Sequence, residues 1–282
     1  MVIEELAPRF PQLYVAPAEG NEDAYKKAAL QGVPPQDTSL SHFEGSEADW
    51  LRVFDTQAGE VEVLFLEKRH DFENFLRCIG HRAQPVEIPS TIGAITYTNL
   101  ADWQKINQGV AEGMASGLSA SEAFKALTAN PANFRIALIA ISEGPNSAVP
   151  AEKTPYDKRT WLKISRDIRT YHELCHFVCR RVMPDDKPAI LDEVTADFNG
   201  IVHALGHYDA SLAALLLGVN ESGYYGGRLE EYLTDEQKAN IDEIAREAYA
   251  LVMSLERDYK DLAVDDSIEA VLAIKRAHPI AY

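Results

Sequence analysis

Residues 171–200 read YHELCHFVCRRVMPDDKPAILDEVTADFNG. His172 and His176 stand four apart, so in a helix both imidazoles leave one face. Pro184 and Pro188 end that helix, because neither carries the amide hydrogen that an interior helical position needs. A second helix starts at Ala189, and Glu193 and Asp197 repeat the four-residue spacing on it. The stretch therefore predicts two antiparallel helices joined by a turn at 184–188.

Helix geometry sets their register. From His176 to Met183 the first helix rises about 10.5 Å, and from Ala189 to Glu193 the second returns about 6 Å. Glu193 then lies near the level of His176. Asp197 lies about 6 Å further on, and His172 is displaced from His176 by the same amount. Glu193 can join the two histidines in a metal site, and Asp197 can take the other ring N–H of His172, the bond a ligand histidine normally makes. Catalytic zinc takes three protein ligands at about 2.0–2.2 Å and keeps a fourth position for water. Glu173 is about 100° round the helix from His172, where it can reach that water as a general base without ligating the ion.

HExxH followed by ExxxD resembles the gluzincin metallopeptidases, the thermolysin-like and neprilysin-like group. Glu-x-x-Ala-Asp at 193–197 is particularly similar to the neprilysin form. The resemblance spans about residues 160–205, and Glu193 follows His176 by 17 positions, slightly fewer than in the thermolysin-like branch. It implies zinc on His172, His176 and Glu193, Glu173 as base, Asp197 orienting His172, and a zincin-like fold with an edge strand for extended peptide. GAITYTNL, 93–100, is the strand chosen for that edge.

Attack on an amide carbonyl builds an oxyanion that needs a donor. SGYYGGRLEEYL, 222–233, offers Tyr224, Tyr225 and Arg228 in a glycine-rich turn. It resembles the Gly-Tyr-Tyr-Gly segment of thimet-oligopeptidase-like enzymes, although Gly227 stands where the key tyrosine would be. The plain structural alternative is a turn with two packed tyrosines.

Other candidates drop out on distance. His203 and His207 also form a four-residue pair, but His207 is about 21 Å from Glu193 along the helix. Cys179 is about 10.5 Å from His172 along the axis. It is expected to pack against the returning helix, with Cys175 in the core.

Strand alternation appears at EVEVLFLE (60–67), AITYTNL (94–100) and the strongly apolar FRIALIAIS (134–142). Helices are expected at NEDAYKKAAL, SEADWLRVF, HDFENFLRCIG, ADWQKINQGVAEGM and SASEAFKALTAN, the last capped by Ser119 or Ser121. After residue 155 no strand is expected. A long helix at 157–183 carries the HExxH motif, and another is expected over 234–261, capped by Thr234. The expected architecture is α+β: residues 1–156 as an α/β subdomain and 157–282 as a helical subdomain, with substrate in the cleft between.

Composition narrows the partners. The chain of 282 residues has a formal net charge of −17, which repels nucleic-acid phosphates and anionic lipid. Three cysteines are too few for a disulfide framework. The N-terminus has no signal-peptide apolar region, and no run reaches membrane-span length. The expectation is a cytoplasmic zinc metallopeptidase acting on a peptide or protein, with neither nucleic acid nor membrane as partner. Two alternatives stay open: a catalytically silent zincin-like protein that binds peptides or a partner, and a zinc hydrolase of a non-peptide amide or ester.

Overall fold

The computed structural model describes residues 1–183 and 189–277, so the expected turn at 184–188 lies outside the described residues. The chain forms two compact units, Met1–Glu143 and another from Gly144 onward.

The first unit is a small mixed sheet with helices. Its elements are α1 (Val2–Leu6), α2 (Glu22–Gln31), β1 (Trp50–Thr56), β2 (Gly59–Leu66), α3 (Arg69–Gly80), β3 (Ala94–Ala101), α4 (Trp103–Ala115), α5 (Ala120–Thr128) and β4 (Arg135–Ser142). The strand order is β1-β2-β4-β3, with β2 and β4 parallel and the outer pairs antiparallel. The apolar strands β2 and β4 take the centre, as strands buried on both faces must. Ile3, Leu6 and Phe10 pack with Phe72 and Phe75 of α3 against Leu64, Leu66, Leu138 and Ala140. β3 is one edge of the sheet and β1 the other. Ser119 caps α5 in a reciprocal box with Glu122, the pattern that satisfies two orphan amides at once.

One expected helix is a strand. Residues 50–54 of SEADWLRVF (46–54) lie in β1, which pairs with β2 from Trp50↔Phe65 to Thr56↔Gly59. The signal that decides it is the turn: Gly59 adopts φ 96°, and Thr56 Oγ1 donates to Gly59 O at 2.6 Å. The hairpin then gains a cross-strand stack of Trp50 on Phe65, centroids 5.7 Å apart. α1 also forms where the sequence reading placed no element; it buries Ile3 and Leu6 completely.

The second unit is helical. It holds α6 (Lys158–Val182), α7 (Ala189–Leu205), α8 (Ala210–Leu217), β5 (Val219–Asn220), β6 (Gly223–Tyr224), α9 (Asp235–Lys238), α10 (Ile241–Asp258) and α11 (Ser267–Ala277). The expected helix over 234–261 is divided. Thr234 does cap its start, boxed with Gln237, but the chain breaks at Asn240 before α10 begins. β5 and β6 are two-residue strands where none was expected; they form a small hairpin.

Within this unit the segment 144–149 packs on α6. Trp161 Nε1 donates to Val149 O at 2.7 Å, Asn146 N to Ser165 Oγ at 2.9 Å, and Arg169 to the carbonyls of Gly144 and Pro145 at 3.0 and 2.6 Å. α6 and α7 approach closely at Gly200, where an added Cβ would lie 2.6 Å from Ile168 O. That contact fixes the pair that carries the motif residues. Among the described residues no helix is long and apolar enough to cross a membrane.

Candidate metal centre

α6 starts at Asp157, whose side chain accepts from Thr160 N, and runs unbroken through both histidines. His172 and His176 are 8% and 3% exposed, so the helix carries two polar rings into a nearly dry interior. Burial of that kind is costly unless each polar atom has a partner.

Nε2 of His172 and Nε2 of His176 face each other at 3.0 Å. Glu193 comes in from α7. Its Oε2 is 3.4 Å from His172 Nε2 and its Oε1 3.3 Å from His176 Nε2. A tetrahedral ion with bonds of about 2.0–2.1 Å has ligand-to-ligand edges of about 3.3–3.4 Å. Each histidine has a different Glu193 oxygen at about that distance, and the histidine pair is slightly tighter. These three residues thus form a group able to hold a metal ion. Glu173 is half-buried on α6 next to His172.

Each outer nitrogen has a carboxylate beside it. His172 Nδ1 is 2.9 Å from Asp197 Oδ1, which fixes Nδ1–H as the donor and leaves Nε2 for a metal. Asp197 is fully buried, and its Oδ2 accepts from Arg228. On the other histidine, Asp192 Oδ2 lies 2.9 Å from His176 Nδ1, near in distance but without the alignment of a full hydrogen bond. Asp192 Oδ1 accepts from the ammonium of Lys275.

These contacts shift the pKa values of the groups around the site. Burial opposes charge on His176, but the carboxylates of Asp192 and Glu193 outweigh it and raise its pKa to about 10. His172 is raised in the same way against burial, by Asp197 and Glu193. Burial works against the Asp197 carboxylate, yet the charge of Arg228 and the bond from His172 hold it below the usual range. Asp192, also opposed by burial, is lowered to about 2 by His176 and Lys275.

The segment 222–233 sends only part of its expected set here. Arg228 reaches Asp197. The hydroxyl of Tyr224 is taken up by the turn itself, donating to Gly227 O at 2.7 Å and accepting from Gly227 N at 3.0 Å. Tyr225 is 49% exposed. The glycines answer to packing: Gly218 ends α8 at φ 76°, and a Cβ there would meet Gly226 O at 2.4 Å.

Three contributors were missed by sequence reasoning. Asp192 adjoins the ligand Glu193, so its partner could have been sought on the same helix level. Tyr232, four residues after Arg228 in a 3-10 turn (Arg228–Tyr232), is near enough for the charges of Glu193 and Asp197 to add to burial in raising its phenol pKa, and has the Arg228 guanidinium 5.7 Å from its ring centre. Lys275 follows AVLAI on the apolar face of α11, one turn after Val271, a pattern that marks a buried lysine.

The remaining polar candidates are structural. His203 stacks on Tyr171 with centroids 3.8 Å apart and meets Ser267 Oγ at 3.1 Å; His207 is exposed. Cys175 and Cys179 are buried, with their sulfurs 3.9 Å apart.

No curated protein and no solved structure matches this chain. A family model matches residues 2–273, and the chain belongs to that family, DUF7005, a family of unknown function.

Proposed function

We propose that this chain is a zinc-dependent metallopeptidase of the gluzincin type, with the zincin-like fold that goes with it. The observation that carries the reading is that donor atoms of His172, His176 and Glu193 lie within 4.8 Å of one another. Two nitrogens and one oxygen suit zinc, and three protein donors leave a position open. His172, His176 and Glu193 would hold the ion, which would supply a Lewis acid for the scissile carbonyl and a water of lowered pKa.

The chain's own groups supply the rest. Glu173, adjacent to His172, takes the proton of the attacking water and delivers it to the leaving amine. Tyr232, a buried phenol within reach of the charge of Glu193, is the donor for the oxyanion that develops on the carbonyl. Arg228 acts through Asp197, and Tyr224 has its hydroxyl committed to the turn at Gly227.

Two measurements test this. Metal analysis of the purified protein should find about one zinc per chain, lost in His176→Ala. A peptide mixture should be cleaved by the wild type and left intact by Glu173→Gln, which keeps its zinc. Absence of metal from protein purified without chelators overturns the site. Full zinc occupancy without cleavage of any peptide overturns the peptidase and leaves a zincin-like binding protein or a hydrolase of a non-peptide amide or ester.

A further inference from the structure

A carboxylate backed by a cation stands behind each ligand histidine, hydrogen-bonded to His172 and near in distance to His176. Behind His172 stands Asp197, and behind Asp197 stands Arg228. Behind His176 stands Asp192, and behind Asp192 stands Lys275. Each carboxylate divides its oxygens between one imidazole and one cation. The cations come from different parts of the chain: Arg228 from the 3-10 turn, Lys275 from α11, 83 positions after Asp192.

Lys275 is out of place by composition. Its side chain is 1% exposed, and its neighbours on α11, Val271, Leu272 and Ile274, are core residues. A buried ammonium is costly, and an apolar residue of similar volume there is often neutral or stabilising. Packing alone therefore gives no reason for a lysine. α11 is also fastened without it: at its start Ser267 Oγ donates to Asn199 Oδ1 at 2.8 Å and meets His203 Nε2 at 3.1 Å.

Resting on the metal-site reading above, we propose that Lys275 is a positioning residue of the metal centre, holding Asp192 against Nδ1 of His176 so that Nε2 is aimed at the ion. Asp192 lies on the same helix as the ligand Glu193 but is partly open to solvent, with its side chain 24% exposed. Without an anchor its carboxylate can turn outward. The ammonium on Oδ1 removes that freedom and leaves Oδ2 on the histidine. The C-terminal helix thereby contributes to metal retention although it supplies no ligand.

The test measures zinc affinity by chelator competition, together with the visible absorption spectrum of the cobalt-loaded protein. It uses full-length wild type, Lys275→Met, Asp192→Asn, the double variant and Ser267→Ala. Lys275→Met and Asp192→Asn should each weaken zinc binding about 10- to 100-fold, the usual loss when support behind a ligand is removed, and alter the cobalt bands. The double variant removes both charges, which restores stability, yet its affinity should stay as low as that of Asp192→Asn. Ser267→Ala, which loosens the other end of α11, should bind within about twofold of wild type.

Wild-type affinity in Lys275→Met overturns the proposal, as does an equal loss in Ser267→Ala. If Lys275→Met fails to fold, the double variant decides: recovery of wild-type affinity there refutes a role beyond charge balance. A wild-type protein that binds neither zinc nor cobalt refutes the metal centre itself, a result distinct from either.

Discussion

Arg228 donates through Nη2 to Oδ2 of Asp197, the carboxylate whose other oxygen meets Nδ1 of His172. The pair is almost wholly removed from water, with side chains 14% and 1% exposed. Taking one partner away strands the other. Arg228→Met is expected to lower the unfolding free energy of the metal-free protein by about 3–5 kcal/mol, the scale for a broken buried pair. Urea unfolding in the presence of a chelator checks it. An arginine that touched only substrate would leave this measurement unchanged.

Asp197 itself should matter more to the metal than to the fold of α7. Asp197→Asn keeps size and shape but removes the charge that fixes the His172 tautomer. Zinc affinity should fall about 10- to 100-fold, while helix content by circular dichroism stays at the wild-type level. Retention of wild-type affinity would mean that His172 does not depend on this carboxylate for its orientation.

Much of this centre is readable in the sequence. HExxH and ExxxD are helical spacings, and rise per residue alone brought Glu193 to His176 and Asp197 to His172. Local periodicity carries that information because both pairs sit within single helices. What it could not carry is pairing at a distance. Lys275 meets Asp192 across 83 positions, and nothing in the local pattern near either residue names the other. The same limit explains residues 50–56, where helix propensity competed with a hairpin partner and the partner prevailed. The tyrosines of 222–233 show a third limit. Spacing could not decide which hydroxyl turns inward, and the glycine contact between Gly218 and Gly226 settles it for Tyr224 by closing the turn.

Gly200 tests how closely α6 and α7 must approach. An added Cβ would sit 2.6 Å from the backbone oxygen of Ile168 and 3.2 Å from its Cγ2. Backbone cannot swing aside as a side chain can, so Gly200→Ala should cost about 1–3 kcal/mol by overpacking. Because the ligands come from both helices, separation of the pair should also weaken zinc binding. Thermal unfolding with and without zinc measures both effects. An unchanged melting temperature would show that the helices have room to spare.

Cys78 offers a check on the core of the first unit. Burial pushes its thiol up to about 12, while an exposed cysteine has a pKa of about 8.5. The folded-state value is raised, so the associated stability is full below about pH 8.5 and declines as pH rises toward 12. At pH 8 the native thiol should resist alkylation and react only after denaturant is added, as read by peptide mass spectrometry. Rapid native labelling at this position would contradict the burial of α3 against the sheet.

Tyr232 and Tyr224 separate the oxyanion donor from the turn. Tyr232 has its buried phenol within reach of the charge of Glu193 and its ring beside Arg228, whereas Tyr224 closes a ring of hydrogen bonds with Gly227. Each can be changed to phenylalanine with loss of one oxygen. Tyr232→Phe should lower kcat on a cleaved peptide about 100- to 1000-fold, the range for loss of one oxyanion donor. KM and zinc content should stay near wild type, because the hydroxyl works mainly in the transition state. Tyr224→Phe should do the reverse: about 1 kcal/mol of stability lost with its hydrogen bonds, and kcat within a few-fold of wild type. If Tyr232→Phe sheds zinc instead, its hydroxyl is holding Glu193 in place and the donor must be sought elsewhere. If Tyr224→Phe proves to be the variant with the large kcat loss, the turn must open during catalysis to release that hydroxyl.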